Sequence, residues 1–255
     1  MAGSGASSRP WTTADGVAVS PDSGAVRSNS GAVRLNSGAV RLNIGCGMAP
    51  TPGWLNYDNS LAVRLAGWPA TARLLARLGV LDAGNLEFVE FCRKHGIRHA
   101  DGVARIPHAP ASVDVVYSSH MIEHLDRWEA ERFLAECRRV LKPGGTLRIV
   151  VPDLRITLRD YLAKGNADIF LDHLQLELDK PHGWRARLRH LLTGGGRNHR
   201  WLYDGKSIAG LIERCGFAEV EVVEPGRTRI ADPGELDLNE RAHESAMVEA
   251  SRPRQ

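Results

Sequence analysis

Two short stretches concentrate the residue types that do chemistry. The first is Asn43-Ile44-Gly45-Cys46-Gly47, entered through Val40-Arg41-Leu42 and followed by Trp54-Leu55-Asn56-Tyr57-Asp58. It reads as a strand, a glycine turn and a second strand ending on a carboxylate. Glycines one residue apart let the backbone turn tightly and approach a ligand with no side chain between, and an acid at the next strand's tip can accept hydrogen bonds from ribose hydroxyls. The implied ligand is a nucleoside-bearing cofactor. The second stretch is Ser118-Ser119-His120-Met121-Ile122-Glu123-His124. An imidazole with a pKa around 6.5 can take a proton at neutral pH, which makes His120 a candidate base. His199, in Arg197-Asn198-His199-Arg200-Trp201, is a second candidate, because its basic segment can close over a substrate.

His120 to His124 also spells His-x-x-Glu-His, a pattern that in one metallopeptidase group sets two zinc-binding histidines on one helical face. That motif needs a third ligand and a peptidase scaffold, whereas here it directly follows a strand in a nucleotide-binding pattern. No metal is expected, and Glu123 and His124 are read as helix-start residues satisfied by local hydrogen bonds. Cys46 fills a glycine turn that needs a small residue, with nothing nearby to make it a nucleophile.

The elements that must position these residues follow from pattern. Val113 to Tyr117 is rich in β-branched residues and reads as a buried strand; Arg127 to Leu141 reads as a helix that Lys142-Pro143-Gly144-Gly145 terminates, and Thr146 to Val151 as the next strand. Helices are expected over Leu61 to Leu81, broken near Pro69, and over Leu86 to His95, Leu154 to Lys164 and Asp204 to Arg214. A short strand near Ile97 to Ala100 leads to Asp101-Gly102, and later strands are placed at Glu219 to Val223 and Ser245 to Val248. Strands alternating with helices at this spacing predict an α/β fold with a parallel sheet and ligands at the carboxyl ends of its strands.

Composition narrows the function classes. The 255 residues, 43% hydrophobic and 25% charged, suffice for a substantial core. A net charge of +3 is too balanced for a protein whose affinity rests on neutralising nucleic-acid phosphates. The four cysteines form no Cys-x-x-Cys pair, which argues against a zinc ribbon or a disulfide framework, and no apolar run approaches a membrane span. A cytoplasmic protein acting away from membranes is expected. Residues 1–36 read as a disordered Gly/Ser-rich tail, because Ser23 to Asn29 recurs as Ser30 to Asn36 and Ser37 to Asn43, with a helix-weakening glycine in each unit. The domain proper is expected over 37–250, with 165–203 as a variable substrate or lid segment. From Pro181 to Tyr203 there are no acids but five arginines and three histidines, and Arg185, Arg187 and Arg189 can grip an acidic group of an acceptor.

Taken in order, Leu42 to Gly47, Gly53 to Asp58, Asp101, Ser112 to Leu125 and Arg139 to Gly145 resemble the class I S-adenosylmethionine-dependent methyltransferases, in particular the small-molecule group of type 11. The resemblance spans roughly residues 40 to 225. It implies a Rossmann-like, seven-stranded, mostly parallel sheet with helices on both faces. It also implies S-adenosyl-L-methionine as cofactor, held by Asn43, Gly45, Cys46, Gly47, Asp58, Asp101, Gly102, Ser118 and Ser119, with Ser118 to His120 beside the transferable methyl. Two departures stand out. Asn43 occupies a position where many members carry an acid, and the path from Gly47 to Asp58 is too short for the usual first helix. The reading is methyl transfer to an oxygen or nitrogen of a small-molecule or glycan-type acceptor, with nucleic acid disfavoured as substrate. A non-catalytic module that binds the cofactor or its demethylated product is the first alternative. A nicotinamide-dependent oxidoreductase is the second, although it would need a third glycine opening a full helix, which Met48-Ala49-Pro50-Thr51-Pro52 does not supply.

Overall fold

The computed structural model describes residues 38–175, Gly183 and 198–254. The repeat tail, Arg185, Arg187, Arg189 and the Gly194 to Gly196 run lie outside the described residues. The strands are β1 (Arg41–Ile44), β2 (Leu55–Asp58), β3 (Arg98–His99), β4 (Val113–Ser119), β5 (Leu141–Pro152), β6 (Ala218–Val223) and β7 (Ser245–Ser251). They form one sheet in the order β3-β2-β1-β4-β5-β7-β6, parallel except for β7, which runs antiparallel to both neighbours. This is the expected seven-stranded, mostly parallel arrangement. The chain reverses outward from β1 on one side and β4 on the other, which opens a crevice at the carboxyl ends of the central strands.

The helices are α1 (Leu61–Ala66), α2 (Pro69–Arg77), α3 (Ala83–Lys94), α4 (Arg127–Val140), α5 (Leu154–Lys164), α6 (Ala167–Leu174) and α7 (Gly205–Arg214). Their starts are written locally. Asp82 accepts from the Asn85 N–H, Asp126 and Glu129 form a capping box on α4, and Asp204 accepts from the Ser207 N–H at 2.7 Å. Pro69 opens α2, and Gly165 at φ +65° closes α5. The apolar stripes of α4 (Phe133, Leu134, Cys137) and α7 (Ile208, Leu211, Ile212) pack with Leu42, Ile44, Val116, Leu147, Ile149 and Val248 in the main core. A second cluster joins Val115, Tyr117, Val150 and Met247 to Trp54, Ile230 and Leu236, so the segment between β6 and β7 covers sheet residues that no helix reaches in this cluster.

Two local features differ from the sequence reading or sharpen it. β5 begins at Leu141, immediately after α4, instead of at Thr146, and Lys142-Pro143-Gly144-Gly145 is an irregularity within the strand, where the β4–β5 register shifts between Val113 and Val115. The physical reason is pairing on both sides of the kink. The Gly144 N–H donates to Arg252 O at 2.8 Å, and a Cβ on Gly145 would stand 2.9 Å from Lys142 O and 3.1 Å from Asp114 O, so only glycine fits. Lys142 Nζ reaches both oxygens of Asp114, at 2.8 and 2.9 Å, and Asp114 also accepts from the Val40 N–H, which fixes the entry of β1.

The second feature is the connection between β1 and β2, where the short spacing already predicted a shortened first helix. Residues 45–54 contain no helix at all, yet join neighbouring parallel strands. Such a crossover ordinarily takes a dozen or more residues, usually helical. Two buried asparagines do the bracing here. Asn43 Nδ2 donates to Ala49 O and Thr51 Oγ1, both at 3.1 Å, and Asn56 accepts from the Thr51 N–H while donating to Thr51 O and Trp54 O.

Candidate functional site

The register of the parallel strands sets the expected residues side by side. Ile44 pairs with Tyr57, Asp58 with His99, and Asn43 with Tyr117, so the glycine turn, Asp58, the Asp101 turn and the Ser118 to His120 corner all leave one edge of the sheet. Gly45 and Gly47 both adopt positive φ, +74° and +49°. Their reasons differ. A Cβ on Gly45 would lie 2.4 Å from Met121 Cγ, so this glycine is required by the residue that follows the β4 corner; at Gly47 nothing lies within 4 Å and the main chain faces open space. The Gly47 N–H donates to Asp58 Oδ2 at 3.1 Å, and Asp58 Oδ1 accepts from the Ser60 N–H at 2.8 Å. A carboxylate at the tip of β2 thus lies against the glycine turn.

Other expected residues take structural places. Asn43 is buried and its amide braces the 45–54 connection. Cys46 is buried against Val63, Cys92 and Ile97, and burial, with Asp58 nearby, pushes its thiol well above the usual range, in keeping with an unreactive packing residue. Gly102 fits tightly against Ile44 and Phe133, 3.1 Å from where a Cβ would sit, so its smallness serves packing. Asp101 is half-buried and caps its own turn, accepting from the Val103 and Ala104 N–H groups. Ser118 is buried with its hydroxyl unpartnered by protein, and Ser119 is half-buried at the end of β4.

The last turn of this edge is the most polar part of the buried structure. His120 sits at φ +48°, in left-handed backbone that a non-glycine residue adopts at a cost, and its Nε2 contacts Ser245 Oγ at 2.8 Å. Its Nδ1 lies 3.5 Å from Glu123 Oε1. Glu123 lies in a short 3-10 turn, Ile122–His124, and is 1% exposed, with neither carboxylate oxygen hydrogen-bonded to protein. His124 Nε2 and His199 Nε2 each stand 4.0 Å from the same Oε1, and the two rings are 5.0 Å apart. The main chain locks this meeting in place, because the N–H groups of Arg200 and Trp201 both donate to Glu123 O, at 2.8 and 3.1 Å. A small cleft of about 10 Å³, room for about one water, is lined by Glu123, Leu154, Leu174, His199, Trp201 and Tyr203 beside it.

Burial governs the charges of the cluster. Desolvation, reinforced by Arg241 and the neighbouring imidazoles, lowers His120 to about 3, and desolvation with His124 and Arg241 lowers His199 to about 4. Desolvation also raises Glu123 to about 8. Burial thus sets both imidazoles below the ordinary pKa on which their candidacy as bases rests. As folded, His120 and His199 are neutral, weakly basic imidazoles at neutral pH, suited to hydrogen bonding or ligation more than to holding a proton. The reading of Glu123 as a locally satisfied residue is corrected, since its carboxyl oxygens lack a hydrogen-bond partner and face three imidazoles, whereas His124 is satisfied, its Nδ1 lying 3.2 Å from Asn198 O. The sequence reading also lacked a third ligand for the His-x-x-Glu-His pattern; the fold brings His199 beside Glu123 and His124, with His120 outside that trio. No spacing rule links positions 123 and 199.

With this geometry in hand, the family comparison is specific. Residues 42–149 match the family described as a methyltransferase domain. Among curated proteins, the chain is similar to a "Probable S-adenosylmethionine-dependent methyltransferase" of Mycolicibacterium smegmatis, 48% identical over 61 residues, which is 24% of this chain and 22% of that one. A protein of Mycobacterium tuberculosis with the same description is 47% identical over 55 residues, 22% of this chain and 19% of the other. The matched stretch thus spans about a fifth of the length of these relatives. Among solved structures, a SAM-dependent methyltransferase of Thermotoga maritima, described as a possible histamine N-methyltransferase, aligns at a TM-score of 0.45 and 15% identity over 84% of this chain and 82% of that one.

Proposed function

We propose that this protein transfers a methyl group from S-adenosylmethionine to an oxygen or nitrogen of a small-molecule or glycan-type acceptor. The supporting observation is the adjacency of two unlike sites on one sheet edge: an open glycine main chain with Asp58 at β1 and β2, and the buried polar corner from Ser118 to Glu123 at β4. The residues fit the cofactor. The Gly47 main chain is unobstructed for its methionine end, Asp58 can exchange its contact with the Gly47 N–H for ribose hydroxyls, Asp101 lies beyond β3 toward the adenine, and the Ser118 hydroxyl is a buried group in want of a partner. When bound, the cofactor supplies an electrophilic methyl on a sulfonium.

The chain's own contribution is alignment. His120, pinned through Ser245 and by its N–H to Val150 O, and His199 flank the acceptor side and orient its nucleophilic atom, with Glu123 behind them. The near-balanced charge supports a non-nucleic-acid acceptor, and an acidic group on it would suit the arginine-rich segment before His199. Among the described residues no helix is long and apolar enough to cross a membrane, and all four cysteines are free; a cytoplasmic site of action is part of the same reading.

Calorimetric titration of the full chain with S-adenosylmethionine, S-adenosylhomocysteine and NAD tests this reading. Binding of the first two and not the third is expected; preference for NAD overturns it. Radiolabelled methyl donor with fractionated cell extract then separates an enzyme, which labels an acceptor, from a module that only binds the cofactor.

A further inference from the structure

The Glu123 cluster carries an inference beyond cofactor binding. A carboxylate that is 1% exposed and accepts no hydrogen bond lacks the partners that buried polar groups normally have. Here it faces His124 Nε2 and His199 Nε2 at equal distances of 4.0 Å, and one donor atom from each of the three residues falls within 4.8 Å of the others. Three further observations point to a ligand set. His124 Nδ1 lies 3.2 Å from Asn198 O, an acceptor only, so Nδ1 carries the proton and Nε2, 4.0 Å from Glu123 Oε1, is the nitrogen without one. This is the outer hydrogen bond that metal-bound histidines characteristically make. The His199 ring is buried and packs on the His124 ring, centroids 5.0 Å apart, which keeps its Nε2 on the carboxylate side. The two ligand segments, 75 residues apart in sequence, are registered to each other by the main-chain bonds of Arg200 and Trp201 to Glu123 O.

We infer that Glu123, His124 and His199 bind one divalent transition-metal cation, with zinc the best match to two imidazole nitrogens and one carboxylate oxygen. Magnesium and calcium prefer all-oxygen sets and fit poorly. Bonds of about 2.0–2.2 Å in tetrahedral geometry put neighbouring donors roughly 3.3–3.5 Å apart, so the two 4.0 Å separations must close by about half an ångström and a donor pair at the 4.8 Å limit by somewhat over one, through side-chain torsions. His120, with Nδ1 3.5 Å from Glu123 Oε1 and Nε2 on Ser245, stands as the group that orients the carboxylate. Three protein ligands leave a coordination position open toward the cleft that Glu123 and His199 line. A role for the cation in holding an acceptor oxygen and favouring its deprotonation rests on the methyl-transfer reading above. The site itself does not.

The test uses the full chain without cofactor or acceptor. Metal content of purified protein is measured, the protein is stripped with a chelator, and Zn2+ and Co2+ are titrated, Co2+ being followed by its visible absorption. One equivalent per chain is expected, with cobalt bands characteristic of a four- or five-coordinate site. The half-exposed ligand is the safest to change. His124→Ala is expected to weaken binding roughly 100-fold or more, as loss of a direct ligand exceeds the 10- to 100-fold typical of outer-sphere changes, while S-adenosylmethionine affinity of the stripped protein stays within about twofold. His243→Ala, on an exposed histidine outside the cluster, is expected to leave metal affinity unchanged. The inference is overturned if the wild type takes up no stoichiometric cation, if His124→Ala binds as tightly as wild type, or if His243→Ala abolishes binding. Loss of cofactor binding in the stripped wild type would instead count against the methyl-transfer reading alone.

Discussion

Glu249 and Glu123 are both carboxylates inside the sheet domain, and they are held in opposite ways. Glu249, on β7 and fully buried, accepts from Arg148 Nη1 at 2.7 Å, Thr228 Oγ1 at 2.6 Å and the Arg229 N–H at 2.7 Å. Arg148 also donates to Arg227 O, so the pair ties the segment after β6 onto the sheet. Glu123 is as deeply buried and has no such partner. One carboxylate organises a covering segment; the other is a buried, unpartnered group turned toward three imidazoles. The contrast teaches that burial of a charge does not define its role, whereas the completeness of its hydrogen bonding does.

The largest expected effect comes from breaking the satisfied site. Glu249→Ala strands a buried guanidinium and is expected to cost about 3–5 kcal/mol in urea unfolding; a loss well under 1 kcal/mol would show that the pair contributes little. Replacing both partners, as Arg148→Met with Glu249→Leu, is expected to recover most of that loss, since an apolar pair of similar volume removes the stranded charge. Non-recovery would mean that the hydrogen bonds to Thr228 and Arg229 dominate. At the unsatisfied site, Glu123→Gln in metal-free protein should change stability by no more than about 1 kcal/mol, because no hydrogen bond of the side chain is lost. A loss near that of Glu249→Ala would erase the distinction between the two sites.

The smallest effect belongs to a third carboxylate, Glu136, which is partly exposed. It accepts from Arg139 at 2.7 Å and from the Ile106 N–H at 2.9 Å, and the arginine hydrogen bond holds its carboxyl below the usual range. A depressed folded pKa gives stability that is present above the unfolded value near 4.5 and is lost as pH falls through the folded one. Glu136→Gln should therefore lower stability by less than about 1 kcal/mol above pH 6 and converge with the wild type in acid, which flattens the acid limb of the profile. A difference from wild type that persists undiminished in acid would point to a structural role instead.

Much of the fold was legible because its signals are local. The β-branched run of β4, the capped stripe of α4 and the bounded helix α5 lie where pattern set them, and the short spacing to Asp58 announced the missing first helix. What escaped the sequence depends on long-range meetings. Arg148 and Glu249 are separated by 101 residues, and nothing in either strand marks its charged residue as inward-facing. The identity of His199 as the neighbour of Glu123 depends on how the chain returns to β4 before α7. Asn43 looked like a substituted cofactor acid, and its bracing role required knowing that residues 45–54 fold back over it.

That braced connection also bears on how the chain acquires its structure. Parallel strands are usually slow to pair because a long crossover must be closed first, yet Leu42 and Leu55 pair across only the residues of one loop. β1 and β2 thus have the sequence separation of a hairpin while belonging to a parallel sheet. Asn56→Ala, which removes three hydrogen bonds from the loop, should slow refolding more than it speeds unfolding if this pair forms early. The opposite partition would place its formation after the rate-limiting step. A nucleotide-binding sheet that in other chains must wait for its first helix can here begin from a single turn.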